Sequence, residues 1–244
     1  MLKTSPNDAQ NVKVWNTLIQ QCMSAGKYKL AYSLFVDMGR RGFKPSFRTY
    51  GTMMSGYARI EDWSQYSKQL ENVDAVYQRM IDYLQSSRDL SRSERPTYLF
   101  PVALYIEILG NAGRQQDAFD VFHELPQDGL LAPNDKIYSS LLSAVAKRAP
   151  SSDSPEDKES ARSQSINEVT YVWRRIARSS ELDPDFTLTV RAVEAAISVL
   201  ATGKADEQKL LFEIIREYFG LTRPTEAGVT PKLELNHQAL STVL

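Results

Sequence analysis

The feature that most constrains the fold is an apolar quartet at helical spacing that returns along the chain. Trp15, Leu18, Ile19 and Cys22 fall at i, i+3, i+4 and i+7, and after Gly26 the spacing recurs as Ala31, Leu34, Phe35 and Met38. The pattern predicts two amphipathic helices in series, with Gly26 accepting a left-handed turn between them and Gly42 and Pro45 ending the second. Further quartets stand at Tyr50, Met53, Met54, Tyr57, at Val102, Tyr105, Ile106, Leu109, and at Tyr138, Leu141, Leu142, Val145. Second helices answer with Ala118, Val121, Phe122, Leu125 and with Val169, Val172, Trp173, Ile176. One helical hairpin cannot bury both its faces, so hairpins in tandem predict a stack in which each covers the next.

This periodicity predicts an all-α chain of roughly eleven helices, organised as one solenoid of helix-turn-helix repeats at about 12–46, 47–97, 98–134, 135–185 and 186–231, with a partial repeat at 232–244. Trp15, Leu18, Phe35, Tyr50, Tyr105, Phe122, Leu141 and Trp173 are the expected core. In the second repeat a stripe from Tyr66 to Leu84 predicts a long second helix, followed by a polar linker over 86–96. Residues 150–165, rich in Ser with Pro, Asp and Glu, read as a disordered insertion. Leu235–Leu244 reads as a first helix without a second, which implies that the natural chain continues.

Several chemistries have no support. No run approaches the roughly 18 apolar residues of a membrane span. Cys22 is the only cysteine, so no disulfide forms within the chain. His123 and His237 lie on different repeats without a second ligand at zinc spacing, so no metal or cofactor is expected. Gly26-Lys27 and Gly203-Lys204 lack the upstream glycine and following hydroxyl of a phosphate loop. With no Ser/His/Asp or Cys/His set, neither an enzyme nor a small-molecule substrate is indicated. The net charge of −1 hides a division: residues 1–60 hold nine Lys and Arg against Asp8 and Asp37, a balance of +7, and the remainder carries −8.

The first unit resembles the pentatricopeptide repeat family in Trp15-Asn16-Thr17-Leu18-Ile19, Ala25-Gly26-Lys27, Ala31, Leu34-Phe35, Met38, Gly42 and Lys44-Pro45. Residues 99–134 repeat the pattern with Asn111-Ala112-Gly113-Arg114, Ala118, Val121-Phe122, Gly129 and Pro133-Asn134. The resemblance implies a right-handed superhelix whose first helices line an inner face, and single-stranded RNA as partner. It also implies that the residue after the first-helix aromatic and the last residue of the repeat read one base together, while a residue near the helix start packs on that base.

Carried onto this chain, the pair is Asn16 and Ser46 in the first repeat, with Lys13 in the packing place and a pyrimidine as the implied base. Ser139 and Asp185 form the pair of the fourth repeat, which resembles a guanine reader, with Lys136 in the packing place. The third repeat offers Ala103 and Asn134, with Phe100 placed to stack. Arg48 holds the packing place of the second repeat, whose reading position is Gly51, and Val190 that of the fifth. The resemblance implies work on organellar RNA, its processing, stability or translation, with the mitochondrion as the expected compartment. Two alternatives stay open: a scaffold for organellar protein complexes, suggested by the acidic later repeats, and the RNA-binding arm of a longer RNA-processing nuclease.

Overall fold

The computed structural model describes residues 11–86, 91–182, 186–205, 208–222 and 228–234. Within them the chain is all-α, with ten α-helices, one short 3-10 turn at Arg92–Glu94 and no strand among the described residues. Backbone contacts divide it into two units. The first runs to Ala112 and includes Pro126–Ala132, and the second holds Gly113–Leu125 and the residues from Pro133 onward.

The first unit contains α1 (Val12–Ser24), α2 (Tyr28–Arg40), α3 (Phe47–Tyr57), α4 (Ser67–Ser86) and α5 (Arg95–Asn111). Asn11 caps α1, its Oδ1 accepting from the Val14 N–H at 3.0 Å. Gly26 (φ +67°) and Gly42 (φ +83°) take the left-handed conformation that a Cβ would resist. The N–H groups of Lys27 and Phe43 then reach back to the carbonyls of Cys22 and Met38, closing both helix ends. The helices so limited pack α1 on α2 and α3, and α3 on α4 and α5, which puts the first helices α1, α3 and α5 side by side.

Trp15, Ile19, Phe35, Met53, Met54, Tyr57 and Met80 are fully enclosed. Each such side chain contributes on the order of 1.5–3 kcal/mol. Leu18 departs from the expected core: it is half-buried, because α1 packs on α2 and α3 and its remaining flank is open. The long second helix of the sequence pattern is α4, which buries Val73, Val76, Tyr77, Met80 and Leu84. Tyr77 stacks on Tyr105 at 3.9 Å between centroids, and the Tyr105 hydroxyl donates to Asp74 at 2.7 Å, so α4 and α5 are locked by both an apolar and a polar contact. Helix α5 begins at Arg95, inside the stretch expected as linker, with Pro96 tolerated in its first turn. The Arg95 guanidinium donates to the Leu130 and Ala132 carbonyls and so ties the 126–132 segment to the start of α5.

The second unit contains α6 (Gln115–Glu124), α7 (Asp135–Ala146), α8 (Pro155–Leu182), α9 (Val190–Leu200) and α10 (Lys209–Phe219). Its core gathers Phe122, Ile137, Tyr138, Leu141, Leu142, Val169, Val172 and Ile176 around α7, which packs on α6, α8 and α9. Arg148 grips Glu168 through both carboxylate oxygens at 2.6 and 2.7 Å, joining the end of α7 to α8.

The expected disordered insertion is corrected here: residues 155–165 form the first three turns of α8. Ser154 accepts from the Asp157 N–H at 3.1 Å as a cap, Pro155 opens the helix, and Glu156 and Asp157 sit in its first turn. The turns are then fixed from outside, since Arg162 bonds Glu159 and the Thr202 carbonyl at 3.0 Å, and Lys204 reaches Glu159 at 3.3 Å. After α10, Lys232 pairs with Glu217 and lies 5.2 Å from the Tyr218 ring, folding 228–234 back onto that helix. The partial last repeat falls largely on 235–244, outside the described residues.

Candidate nucleic-acid interface

Helix caps set a common register for the first helices. Asn11, Asn134 and Thr189 each accept, through the side chain, from the N–H three residues on, at 3.0, 3.1 and 3.3 Å. The fifth residue after each cap is therefore equivalent: Asn16, Ser139 and Glu194. All three carry a buried oxygen with no hydrogen-bond partner, namely Asn16 Oδ1, Ser139 Oγ and Glu194 Oε1. Asn16 is only 8% exposed. A buried polar atom left unpaired costs about 1–3 kcal/mol, and folded chains keep few of them. The unpaired oxygen therefore recurs at the same position of three first helices, α1 in the first unit and α7 and α9 in the second.

Glu194 was not found from the sequence, where Val190 stood for the fifth repeat. The cap at Thr189 puts Val190 at the first position of α9, so the position equivalent to Asn16 and Ser139 lies four residues on, with Arg191 near the helix start. Asp185 lies outside the described residues. The residue in register with Ser46 and Asn134, each the cap of the following first helix, is Thr189.

The other expected positions are less uniform. Ser46 is half-buried and engaged with Thr49, its N–H donating to the Thr49 Oγ1 at 3.0 Å. Asn134 spends its Oδ1 on the helix cap, leaving its amide N–H groups. Lys13 and Arg48 are exposed on the first turns of α1 and α3. Lys136 is exposed but shares its charge with Asp135 at 3.6 Å. Ala103, the reading position of the third repeat, is buried at 4% exposure and offers no polar group.

Within the first unit, α1, α3 and α5 enclose a groove of about 560 Å³. Two glycines of α3 shape it. A Cβ on Gly56 would lie 2.5 Å from the Met23 side chain, so α3 meets α1 at closer range than any other residue permits. Gly51 faces Phe100 of α5, whose ring stays 47% exposed on the groove wall. Arg48 and Arg59 line it as well, Arg59 donating to the Ser24 hydroxyl at 3.4 Å, and no carboxylate is among the lining residues. The structure thus brings Arg48 and Phe100 together in one cavity, and leaves Asn16, Ser139 and Glu194 as a register spread over two units.

Among the described residues no cluster of three His, Cys, Asp or Glu could hold a metal ion, and no helix is long and apolar enough to cross a membrane.

Residues 10–59 match the PPR repeat family. One similar protein is a pentatricopeptide repeat-containing protein of Arabidopsis thaliana, 23% identical over 139 residues that cover 55% of this chain and 15% of the relative. A second from the same organism, described as chloroplastic, is 28% identical over 151 residues, covering 55% of this chain and 18% of the relative. The chain thus spans less than a fifth of the length of these relatives. Among solved structures, the pentatricopeptide repeat protein PPR10 in complex with an 18-nt psaJ RNA element is 19% identical, with a TM-score of 0.44, over 87% of this chain and 29% of that one. The family match is thus confined to residues 10–59, around the first hairpin, and beyond it the chain is similar to pentatricopeptide repeat-containing proteins over about half its length.

Proposed function

We propose that the chain is a single-stranded RNA-binding module acting on organellar transcripts, in their processing, stability or translation. The observation that carries the reading is the shared register of unpartnered buried oxygens at Asn16, Ser139 and Glu194. Base edges present donors and acceptors at fixed positions, and unstacked single-stranded bases can offer them to a helix face. The Asn16 amide suits a pyrimidine edge, with Ser46 beside it in the repeat pattern. Glu194, an acceptor only, suits an edge that presents N–H donors. Lys13, Arg48 and Lys136 supply phosphate attraction. A plastid fits the relative described as chloroplastic, and the mitochondrion is the compartment that the resemblance implies.

The test is titration of the purified chain with a random pool of labelled single-stranded RNA at two salt concentrations, followed by sequencing of the retained fraction. The proposal expects saturable, salt-sensitive binding and enrichment of a short motif. Asn16→Ala should relax preference at one pyrimidine of that motif and leave the salt dependence unchanged. Binding that is absent at low salt, or enrichment that ignores Asn16, Ser139 and Glu194 alike, overturns it. Recovery of a protein partner that these substitutions abolish would assign the register to a scaffold.

A further inference from the structure

We infer that the start of α2 is a docking site for a partner protein, and that it takes an acidic segment carrying one bulky apolar side chain. The site is a groove of about 560 Å³ on the second helices of the first unit, lined by Lys27, Tyr28, Lys29 and Leu30 at the start of α2 and by Tyr66 and Gln69 at the start of α4. It shares no lining residue with the groove between α1, α3 and α5, so the two are separate sites.

The third repeat supplies an internal comparison. Gly26 and Gly113 turn alike, at φ +67° and +76°, and Ala31 and Ala118 are both fully buried, which aligns Lys27, Lys29 and Leu30 with Arg114, Gln116 and Asp117. In α6 the turn cation is neutralised within its own repeat, the Arg114 Nε–H donating to the Asp117 carboxylate at 2.5 Å. In α2 Leu30 stands in place of that carboxylate and is 49% exposed, while Lys29 adds a second cation. The first turn of α2 holds no acidic residue, no carboxylate lines the groove, and neither lysine has an ion pair among the described residues. Farther along α4, Glu71 is already held by Lys68 at 2.5 Å. Two cations at the positive end of a helix and a leucine left in water all run against local preference, and one acidic, apolar ligand satisfies the three together.

The rings decide between a peptide and a nucleic acid. Tyr28 stacks on Tyr57 at 5.8 Å between centroids and meets Tyr66 edge-on at 5.9 Å and 85°. Two rings at a right angle, with Leu30 on the same groove, form a corner for an aliphatic or aromatic side chain and offer no flat slot for a base. The volume lies inside the range of about 300–1,000 Å³ typical of sites that enclose a small organic group. Carboxylates on either side of the anchored side chain then meet Lys27 and Lys29.

The experiment selects a displayed library of random short peptides on the immobilised full chain, then measures a synthetic copy of an enriched peptide by fluorescence anisotropy. The expected sequences place carboxylates on either side of a leucine, isoleucine or phenylalanine. Lys29→Gln combined with Leu30→Asp, which gives α2 the first turn of α6, should weaken that peptide by about tenfold or more, the loss of one apolar anchor. Affinity for single-stranded RNA should stay where it was. Ser33→Trp, which fills the groove without altering charge, should cause the same loss of peptide. Residues 29, 30 and 33 are all exposed, so both variants fold, and an unchanged melting temperature checks this. Enriched peptides without acidic residues, or a peptide whose affinity ignores both variants, overturn the site, as does a library that yields nothing above background. Loss of RNA affinity in step with the peptide assigns the groove to nucleic acid and overturns the protein partner.

Discussion

The first hairpin, α1 and α2, and the opening three turns of α8 are helical for opposite reasons. The hairpin is bounded by a cap and two left-handed glycines, and between them it buries Trp15, Ile19, Ala31, Phe35 and Met38. Residues 155–165 carry almost no apolar surface to bury, and their order comes from the Ser154 cap, the Arg162–Glu159 pair and the reach to Thr202 and Lys204. The difference teaches that one chain can secure helices either by removing apolar groups from water or by satisfying charges locally. The first kind is indifferent to modest changes of salt and pH, and the second is not.

The largest expected effect breaks the first member of the comparison. Phe35→Ala removes a ring that is 1% exposed and touches Tyr50 edge-on at 5.9 Å, and should cost about 3–5 kcal/mol in a denaturant titration. If it unfolds with the parent, the apolar account of the hairpin is wrong. Next in size, Lys13→Glu combined with Arg48→Glu should weaken single-stranded RNA binding for every sequence and reduce the salt slope by about one or more, because each position contributes phosphate attraction. Glu159→Gln, at the acidic end of the contrast, should leave RNA affinity where it was.

Smaller effects probe the tether of α8. Arg162→Ala should speed amide exchange over 156–165 while 166–176, packed through Ile166, Val169, Val172 and Ile176, stays protected. Equal exchange in both halves would show that the outer contacts contribute nothing. The smallest expected effect follows pH. The Arg162 guanidinium, assisted by Lys204, holds the Glu159 carboxyl down at about 2 from an ordinary 4.5. A carboxyl depressed on folding gives its contribution in full above the ordinary range and loses it as the pH falls through the folded value. Fraying of 156–165 should therefore grow between pH 4.5 and 2, and Glu159→Gln should flatten that dependence.

How much was legible follows the same contrast. The apolar quartets located α1, α2, α3 and α5 to α8, because period and burial are the same fact seen twice: Trp15, Tyr50, Tyr105, Phe122, Leu141 and Trp173 are all buried. The start of α8 was legible in principle, since Ser154-Pro155-Glu156-Asp157 is a cap, a first-position proline and an acidic first turn, but composition outweighed it. Its outer partners, Thr202 and Lys204, stand some forty residues away and leave no local trace. Glu194 was missed for a related reason. Spacing counted from apolar residues slides by several positions, whereas the Thr189 cap fixes the register and is recognised by its hydrogen bond. Leu18 shows the limit of periodicity itself: a stripe says which side of a helix is apolar, and only the neighbours say how much of it is covered.

The contact of Gly56 with Met23 bears on measurement. Because even a methyl group at residue 56 would stand 2.5 Å from the Met23 side chain, the distance from α1 to α3 is held at a minimum that no other residue type could keep. That distance is the step from one first helix to the next, and a reader of successive bases needs its step to match the spacing along the strand it follows. Gly56 therefore works as the stop of a ruler. A side chain there would lengthen that one division, and under the proposed function the bases met by α1 and α3 would fall out of step.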